Sequence, residues 1–353
     1  MPLGFASVVT SYASALNNIT FPAIKRDRIT DQVFDTSPWL ALMRATGHIK
    51  KVTGGLYIGE VANIGRSPNA GWYVGQGGFS IKTFEGLIQL AWDWKFAHDA
   101  VVVTGPEIVL NENSDDAIVD LIQGRVDVAS LTLPDLVATD FYVNNPNGPF
   151  NIDGSASNAS SIEGLATLVD NGTVSVNIGQ QSRTTYPVLN AKANYNSAIG
   201  AGMITALQAS WLAANRGGRS RSKVNFTTEL AYGAYWGQLQ TPERYVLDPY
   251  RLEAIGLKTT GGNDLAFNDA VVLLDEKVPT QIQKPVNAGG SGGLWYMLNT
   301  DFFEMIVHPD RFFTLGEWFR DPYGDQYYLD IWLACALKCM RPNRQAVLWM
   351  SGG

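Results

Sequence analysis

From Leu87 to Phe96 the chain reads LIQLAWDWKF, and its faces alternate at every step. Ile88, Leu90, Trp92, Trp94 and Phe96 fall on one side, and Leu87, Gln89, Ala91, Asp93 and Lys95 on the other. A period of two marks a half-buried strand. A weaker run, LYIGEVANI, precedes it, so residues 47–104 read as an extended two-stranded ribbon. The connection between the two runs is GRSPNAGWYVGQGG, where five of fourteen residues are glycine yet the middle carries Trp72, Tyr73 and Val74. Glycine loses the most backbone freedom on ordering, whereas aromatics gain the most from burial. Together they predict a tip that orders against another molecule. A lone hairpin is marginal in water, and the tryptophan stripe predicts that the ribbon lies on something.

Elsewhere the pattern changes period. In SPWLALMRATG, Ser37 is placed to cap and Pro38 to occupy the first helical position. Residues 1–46 therefore read as an extended arm ending in a short helix. The best helix is 113–143, capped by Ser114, Asp115 and Asp116. Its apolar positions are Ile118, Leu121, Ile122 and Val126, then Leu131, Leu133, Leu136, Val137 and Phe141, and Pro134 is expected to kink or split it. NNPNGPFNIDGSASNASS is turn chemistry and marks a boundary at 144–160. NYNSAIGAGMITALQASWLAANRGG reads as a helix with Ile204, Leu207, Trp211 and Leu212 on one face and Gly217 ending it. Strands follow around VNFTTELA and AVVLLDEKVP. Then come LWYMLNT, EMIVHP, a hairpin of FFTLGEWFR and QYYLDIWLACALKCM about DPYGD, and RQAVLWMSGG.

Composition narrows the function. Of 353 residues 17% are charged and 11% aromatic, against roughly 25% charged in an average domain, so much of the surface is not built to stay in water. A net charge of −7 argues against a protein that coats nucleic acid. Cys335 and Cys339 form a C-x3-C run, and with only His48, His98 and His308 elsewhere they read as buried, reduced thiols, not a metal site or disulfide framework. No cofactor motif emerges: GQGG and TTGGND lack phosphate-loop spacing. GGSGG at 289–293, the one G-x-S-x-G, sits in a loop and not between a strand and a helix. No acid, base and nucleophile stand together, so no enzyme is expected. The first positive side chain is Lys25, so the start does not read as a secretory leader, and no apolar run approaches a membrane span. The one basic patch is NRGGRSRSK, with Arg216, Arg219, Arg221 and Lys223. It reads as a solvated loop, a salt-bridge partner or a weak DNA contact, without the aromatics that stack on bases.

The order of parts (arm, ribbon, long helix, α/β unit, terminal sheet) resembles the major capsid proteins of tailed double-stranded DNA bacteriophages, an α+β architecture called the Hong Kong 97-like capsid fold. WDWKFAHDAVVVTGPEIVLNEN resembles the family's passage from ribbon to spine helix, and DAIVDLIQGRVDVASLTL the spine helix itself. SIEGLATLVDNGT, NDAVVLLDEKVP, GLWYMLNTDFFEMIVHPDRFF and RPNRQAVLWM are similar to later parts, so the match spans about residues 45–350. The resemblance implies an N-arm (1–46), an E-loop (47–104), a peripheral domain (105–154 and 295–340) and an axial domain (155–294 and 341–353). It also implies hexamers and pentamers that assemble in the host cytoplasm and close into the icosahedral head of a virion around non-specifically held double-stranded DNA. An inner face of modest negative charge would not grip that DNA during packaging. The contacts between subunits are expected at Trp72, Tyr73, Val74, Trp92, Trp94, Phe21 and Trp39. Because the ribbon begins within about fifty residues, a separate scaffolding protein is expected, with a portal as a further partner, and a decoration protein is left open by the sequence. No membrane partner is expected. Lys82 is the lysine nearest the tip, but no residue-level match supports covalent crosslinking. The rival reading is a phage tail or carbohydrate-binding adhesion protein.

Overall fold

The strand GGLWYML shows how this chain builds its core. Every residue of it is buried, and its side chains divide between two apolar layers. Leu294, Tyr296 and Leu298 enter the larger cluster, while Trp295 and Met297 enter a smaller one. Alternation along a strand covered on both faces produces that division. The structure, a computed structural model, describes residues 37–75, 77–78, 81–110, 115–148, 150–200, 202–217, 220–239, 265–280 and 292–351.

In chain order the elements are α1 (Pro38–Ala45), β1 (Ile49–Lys51), β2 (Tyr57–Asn63), β3 (Leu87–Asp93), β4 (Lys95–Thr104), α2 (Gly105–Leu110), α3 (Asp115–Val143) and α4 (Leu165–Leu168). They continue with β5 (Asn177–Ile178), β6 (Gln181–Ser182), β7 (Lys192–Ala198), α5 (Met203–Asn215), β8 (Val224–Thr227), α6 (Glu229–Leu239), β9 (Ala266–Phe267), β10 (Ala270–Leu274), β11 (Gly292–Leu298), β12 (Phe303–Leu315), β13 (Phe319–Arg320), β14 (Gln326–Cys339) and β15 (Ala346–Ser351). Among the described residues no helix is long and apolar enough to cross a membrane.

Two sheets carry the body. The first has five strands and centres on β14. One edge of β14 holds β4 from Gln326↔Thr104 to Cys335↔Lys95, and the other holds β12 and then β13. Along β14 burial alternates up to Leu333 and is then continuous. Tyr327, Leu329, Ile331 and Leu333 thus point into the same core as Val126, Leu133, Val137 and Phe141 of α3. The second sheet has six strands in the order β7-β15-β11-β8-β10-β9. α5 and α6 cover one face of it, where Met203, Leu207, Ala231 and Tyr235 meet Trp295, Leu348 and Met350.

Several expectations are corrected by these pairings. LIQLAWDWKF is not one strand: it breaks at Trp94, so that β3 pairs with β2 while β4 leaves to join β14. β1 likewise pairs with β12, not with the ribbon. The ribbon is therefore 57–93, shorter than 47–104. β11 lies in the six-stranded sheet. The helix expected from Asn194 starts only at Met203, because residues 192–198 are captured as β7 on the free edge of β15. Its buried face is Met203, Leu207, Ser210 and Ala214, whereas Ile204 and Leu212 are exposed. Helix α3 runs unbroken through Pro134. Its Leu131 and Leu136 face outward, and Ser114 lies outside the described residues.

Candidate functional site

The ribbon pairs β2 with β3 in unbroken register from Tyr57↔Asp93 to Asn63↔Leu87. Beyond that, local bonds shape the tip. Ile64 N–H donates to Gly86 O (2.9 Å). The Asn69 side chain brackets the backbone of Lys82, its Nδ2 donating to Lys82 O (2.7 Å) and its Oδ1 accepting from Lys82 N–H (2.8 Å). Two glycines have a steric reason. The Phe84 ring stands where a Cβ on Gly65 or Gly86 would be, at 2.9 and 2.6 Å. That packing fastens the neck of the loop and leaves its crown bare. Trp72 is 105% exposed, Val74 91% and Ile81 89%, with Tyr73 also exposed. Large apolar groups grouped this way on a surface mark an interaction site.

The base of the ribbon is the opposite case, because its own chain holds it there. Leu90 and Trp92 are buried under the turn between β5 and β6. Both turn residues have positive φ, Gly179 at 51° and Gln180 at 62°, the geometry that tightens a two-residue hairpin. A Cβ on Gly179 would lie 3.1 Å from Leu90 Cβ and 3.3 Å from the Trp92 ring. Ala91 N–H donates to Gly179 O (3.0 Å), Gln180 Nε2 to Asp93 Oδ1 (3.0 Å) and Gln181 Nε2 to Gln89 O (3.0 Å). These contacts make a clasp around β3.

The clasp is braced from behind by a buried polar cluster. Asp170 Oδ2 accepts from the N–H groups of Gly172, Val174 and Ser175 at 2.8–3.0 Å, and Oδ1 accepts from the Tyr195 hydroxyl (2.8 Å). Arg183, next after β6, donates to the carbonyls of Asp170 (2.6 Å), Leu189 and Thr167. On the β2 side, buried Lys338 bridges Glu60 (2.9 Å) and Glu304 (2.8 Å), and Lys50 reaches the other Glu304 oxygen. Burial pushes the Glu304 carboxyl up, but its hydrogen bonds from Lys338 and Lys50 outweigh that and hold it below the usual range.

The expected contact residues thus separate into groups. Trp72, Tyr73 and Val74 stand together on the uncovered tip. Trp92 and Trp39 are corrected: both are interior. Trp39 stacks on Phe141 (4.4 Å between centroids) and meets Phe226 and Phe303 edge-on. An eight-residue amphipathic helix has little stability alone, so α1 folds by inserting Trp39, Leu40, Leu42 and Met43 into the core. Ser37 precedes it without a side-chain capping bond. Trp94 is half-buried, its Nε1 donating to Gly55 O (3.0 Å). Phe21 and Arg219 lie outside the described residues. Of the remaining basic residues, Lys223 pairs with Asp301 (2.5 Å) and Arg221 lies over Trp211 (5.8 Å), while the backbone carbonyl of Arg216 accepts from Arg344 (2.8 Å). Cys335 and Cys339 are free and buried, and burial pushes both thiols up to about 12. Among the described residues no group of three His, Cys, Asp or Glu side chains could hold a metal.

No family model and no curated protein matches the sequence. The fold has clear relatives among solved structures. The capsid subunit of cyanophage A-1(L) superposes with a TM-score of 0.62 at 14% identity, covering 89% of this chain and 92% of that one. This is the Hong Kong 97-type capsid fold. The capsid of a GTA particle has the same fold, with a TM-score of 0.54 at 12% identity, 88% of this chain and 90% of that one. So has the SrpI encapsulin of Synechococcus elongatus, at 0.50, 10% identity, 85% and 84%. The ribbon 57–93 and the long helix α3 lie within the stretches that the resemblance assigns to an E-loop and a spine helix.

Proposed function

We propose that the chain is the shell-forming subunit of a tailed-phage head, a structural protein whose copies associate through the E-loop tip. The observation that carries this reading is the contrast within one ribbon. Its base is held by three hydrogen bonds and two buried side chains, whereas its tip presents Trp72, Tyr73, Val74 and Ile81 to solvent. A limb anchored at one end and adhesive at the other suits a partner of fixed geometry, and repeated copies of the same chain provide one. Likeness to capsid and encapsulin subunits supports that choice of partner.

Hexamers and pentamers closing into an icosahedral shell are the assemblies this reading implies. A separate scaffolding protein and a portal belong to the same proposal, as does loosely held double-stranded DNA inside. Modest contacts suit such a shell, because weak bonds can break and correct errors while several at once hold firmly. Negative-stain microscopy of the purified chain tests the proposal: closed particles or rings of five and six are expected. Monomers persisting at every concentration, with or without crowding agents, would refute it.

A further inference from the structure

Behind the clasp lies a carboxyl group in an unusual setting. Glu163 sits just before α4, and its Oε1 accepts from Asn147 Nδ2 (3.3 Å), an amide that also reaches the Asn177 carbonyl of β5 (3.5 Å). Its Oε2 is fully covered and, among the described residues, meets no donor at full hydrogen-bond geometry. The backbone N–H of Gly179 faces the same carboxyl. Gly179 therefore connects two things: its N–H side looks at Glu163, and its carbonyl receives Ala91 N–H from the ribbon. A carboxylate oxygen covered this closely is costly when charged and tolerable when protonated.

We propose that Glu163 is a proton-operated latch on the E-loop. Neutral, it lets the β5–β6 turn close on β3. Ionised, it draws in water and loosens the turn, freeing the ribbon's base from the body. The surrounding charges do not remove this sensitivity. Lys95 of β4 is attractive but has its Nζ on Ala159 O (2.7 Å). Arg183 is attractive too, but its guanidinium is engaged with backbone carbonyls. Asp93, on the ribbon side, is held by Gln180, and Asp140 of α3 accepts the Ser161 hydroxyl. The net result is that burial pushes the Glu163 carboxyl up to about 7, against the opposing pull of Asn147, the Gly179 N–H, Lys95 and Arg183. The direction follows from linkage. A carboxyl whose closed-state value exceeds its ordinary 4.5 binds its proton more tightly when the clasp is closed. Closure is then strongest below about 4.5 and is lost as pH rises through about 7.

Hydrogen exchange tests the latch, on the purified full-length chain kept below its assembly concentration and with rates corrected for intrinsic pH dependence. The protection of the 87–93 peptide, which contains the Ala91 amide, should fall about tenfold to thirtyfold between about pH 5.5 and pH 8. Amides in β14 should keep their protection over that range. Glu163→Gln should hold the ribbon at the low-pH level throughout, and Gln180→Ala should lower protection at every pH. A wild-type ribbon whose protection stays within about twofold across the range, a Glu163→Gln variant that retains the full pH dependence, or β14 amides that change in parallel would each overturn the proposal. Because the readout is an amide in an unassembled chain, this inference stands or falls apart from the shell reading.

Discussion

Replacing Trp72 by alanine removes the largest group on the tip without touching the core. The indole is fully exposed in its own chain, so all of its surface is available to a neighbour. An aromatic buries roughly 150–250 Å², and at about 25 cal/mol/Å² that is at most about 4–6 kcal/mol. Ordering the loop takes back about 1–2 kcal/mol for each residue fixed. With one or two residues fixed, about 2–3 kcal/mol should survive, the range of an interface hot spot, and it corresponds to roughly 30- to 150-fold in a dissociation constant. The assay is the critical concentration for assembly, read by light scattering and sedimentation, with thermal melting of the unassembled chain alongside. The variant should raise the critical concentration by at least about tenfold and change the stability of the monomer by less than about 0.5 kcal/mol. A critical concentration within twofold of wild type would show that the tip is not the adhesive end of the limb.

Three further outcomes are expected. Arg183→Ala strips the donors from the carbonyls of Asp170, Leu189 and Thr167 and leaves three buried acceptors unpaired, so calorimetry or denaturant unfolding should show a loss of about 3–5 kcal/mol; a loss under about 1 kcal/mol would contradict the bracing role. Gly179→Ala forces a Cβ into the left-handed region at φ 51° and against Leu90 and Trp92; about 1–2 kcal/mol of strain should appear as faster exchange of β3 while β14 is unaffected. Cys335 and Cys339 should react with a thiol reagent only on unfolding, since both are covered and their thiols are pushed up to about 12; rapid labelling of the native chain at neutral pH would refute their burial.

The exposure of the tip was legible in the sequence, because the glycines around Trp72, Tyr73 and Val74 give these side chains no local core to enter. Helix α3 and strands β11, β14 and β15 were legible because their apolar runs are long, whereas β12 runs unbroken from Phe303 to Leu315 through Asp310 and Arg311, which separate the expected strands EMIVHP and FFTLGEWFR. The clasp was not legible. Period two at Leu90 and Trp92 says that one face of the strand is covered, yet carries no information on whether a neighbouring copy or the chain's own residue 179, some ninety positions away, does the covering. The same ambiguity placed Trp39 at an interface when it belongs to the core. Trp94 interrupts a pattern that looks continuous because β3 and β4 each keep the alternation while changing partners. Asp170 and Arg183 gave one local hint, the DNG turn at 170–172, whose aspartate accepts three backbone N–H groups. Glu163 gave none, since its setting arises from chain segments brought together only by folding.

The central claim concerns where the tip goes. A cryo-electron microscopy reconstruction of assembled particles reads it directly, through the heavy atoms nearest the Trp72 indole. Contacts within about 4.5 Å to a neighbouring subunit, with the ribbon's base still under Gly179 of its own chain, are the predicted result. A particle in which that indole faces solvent or rests on its own body would contradict the account.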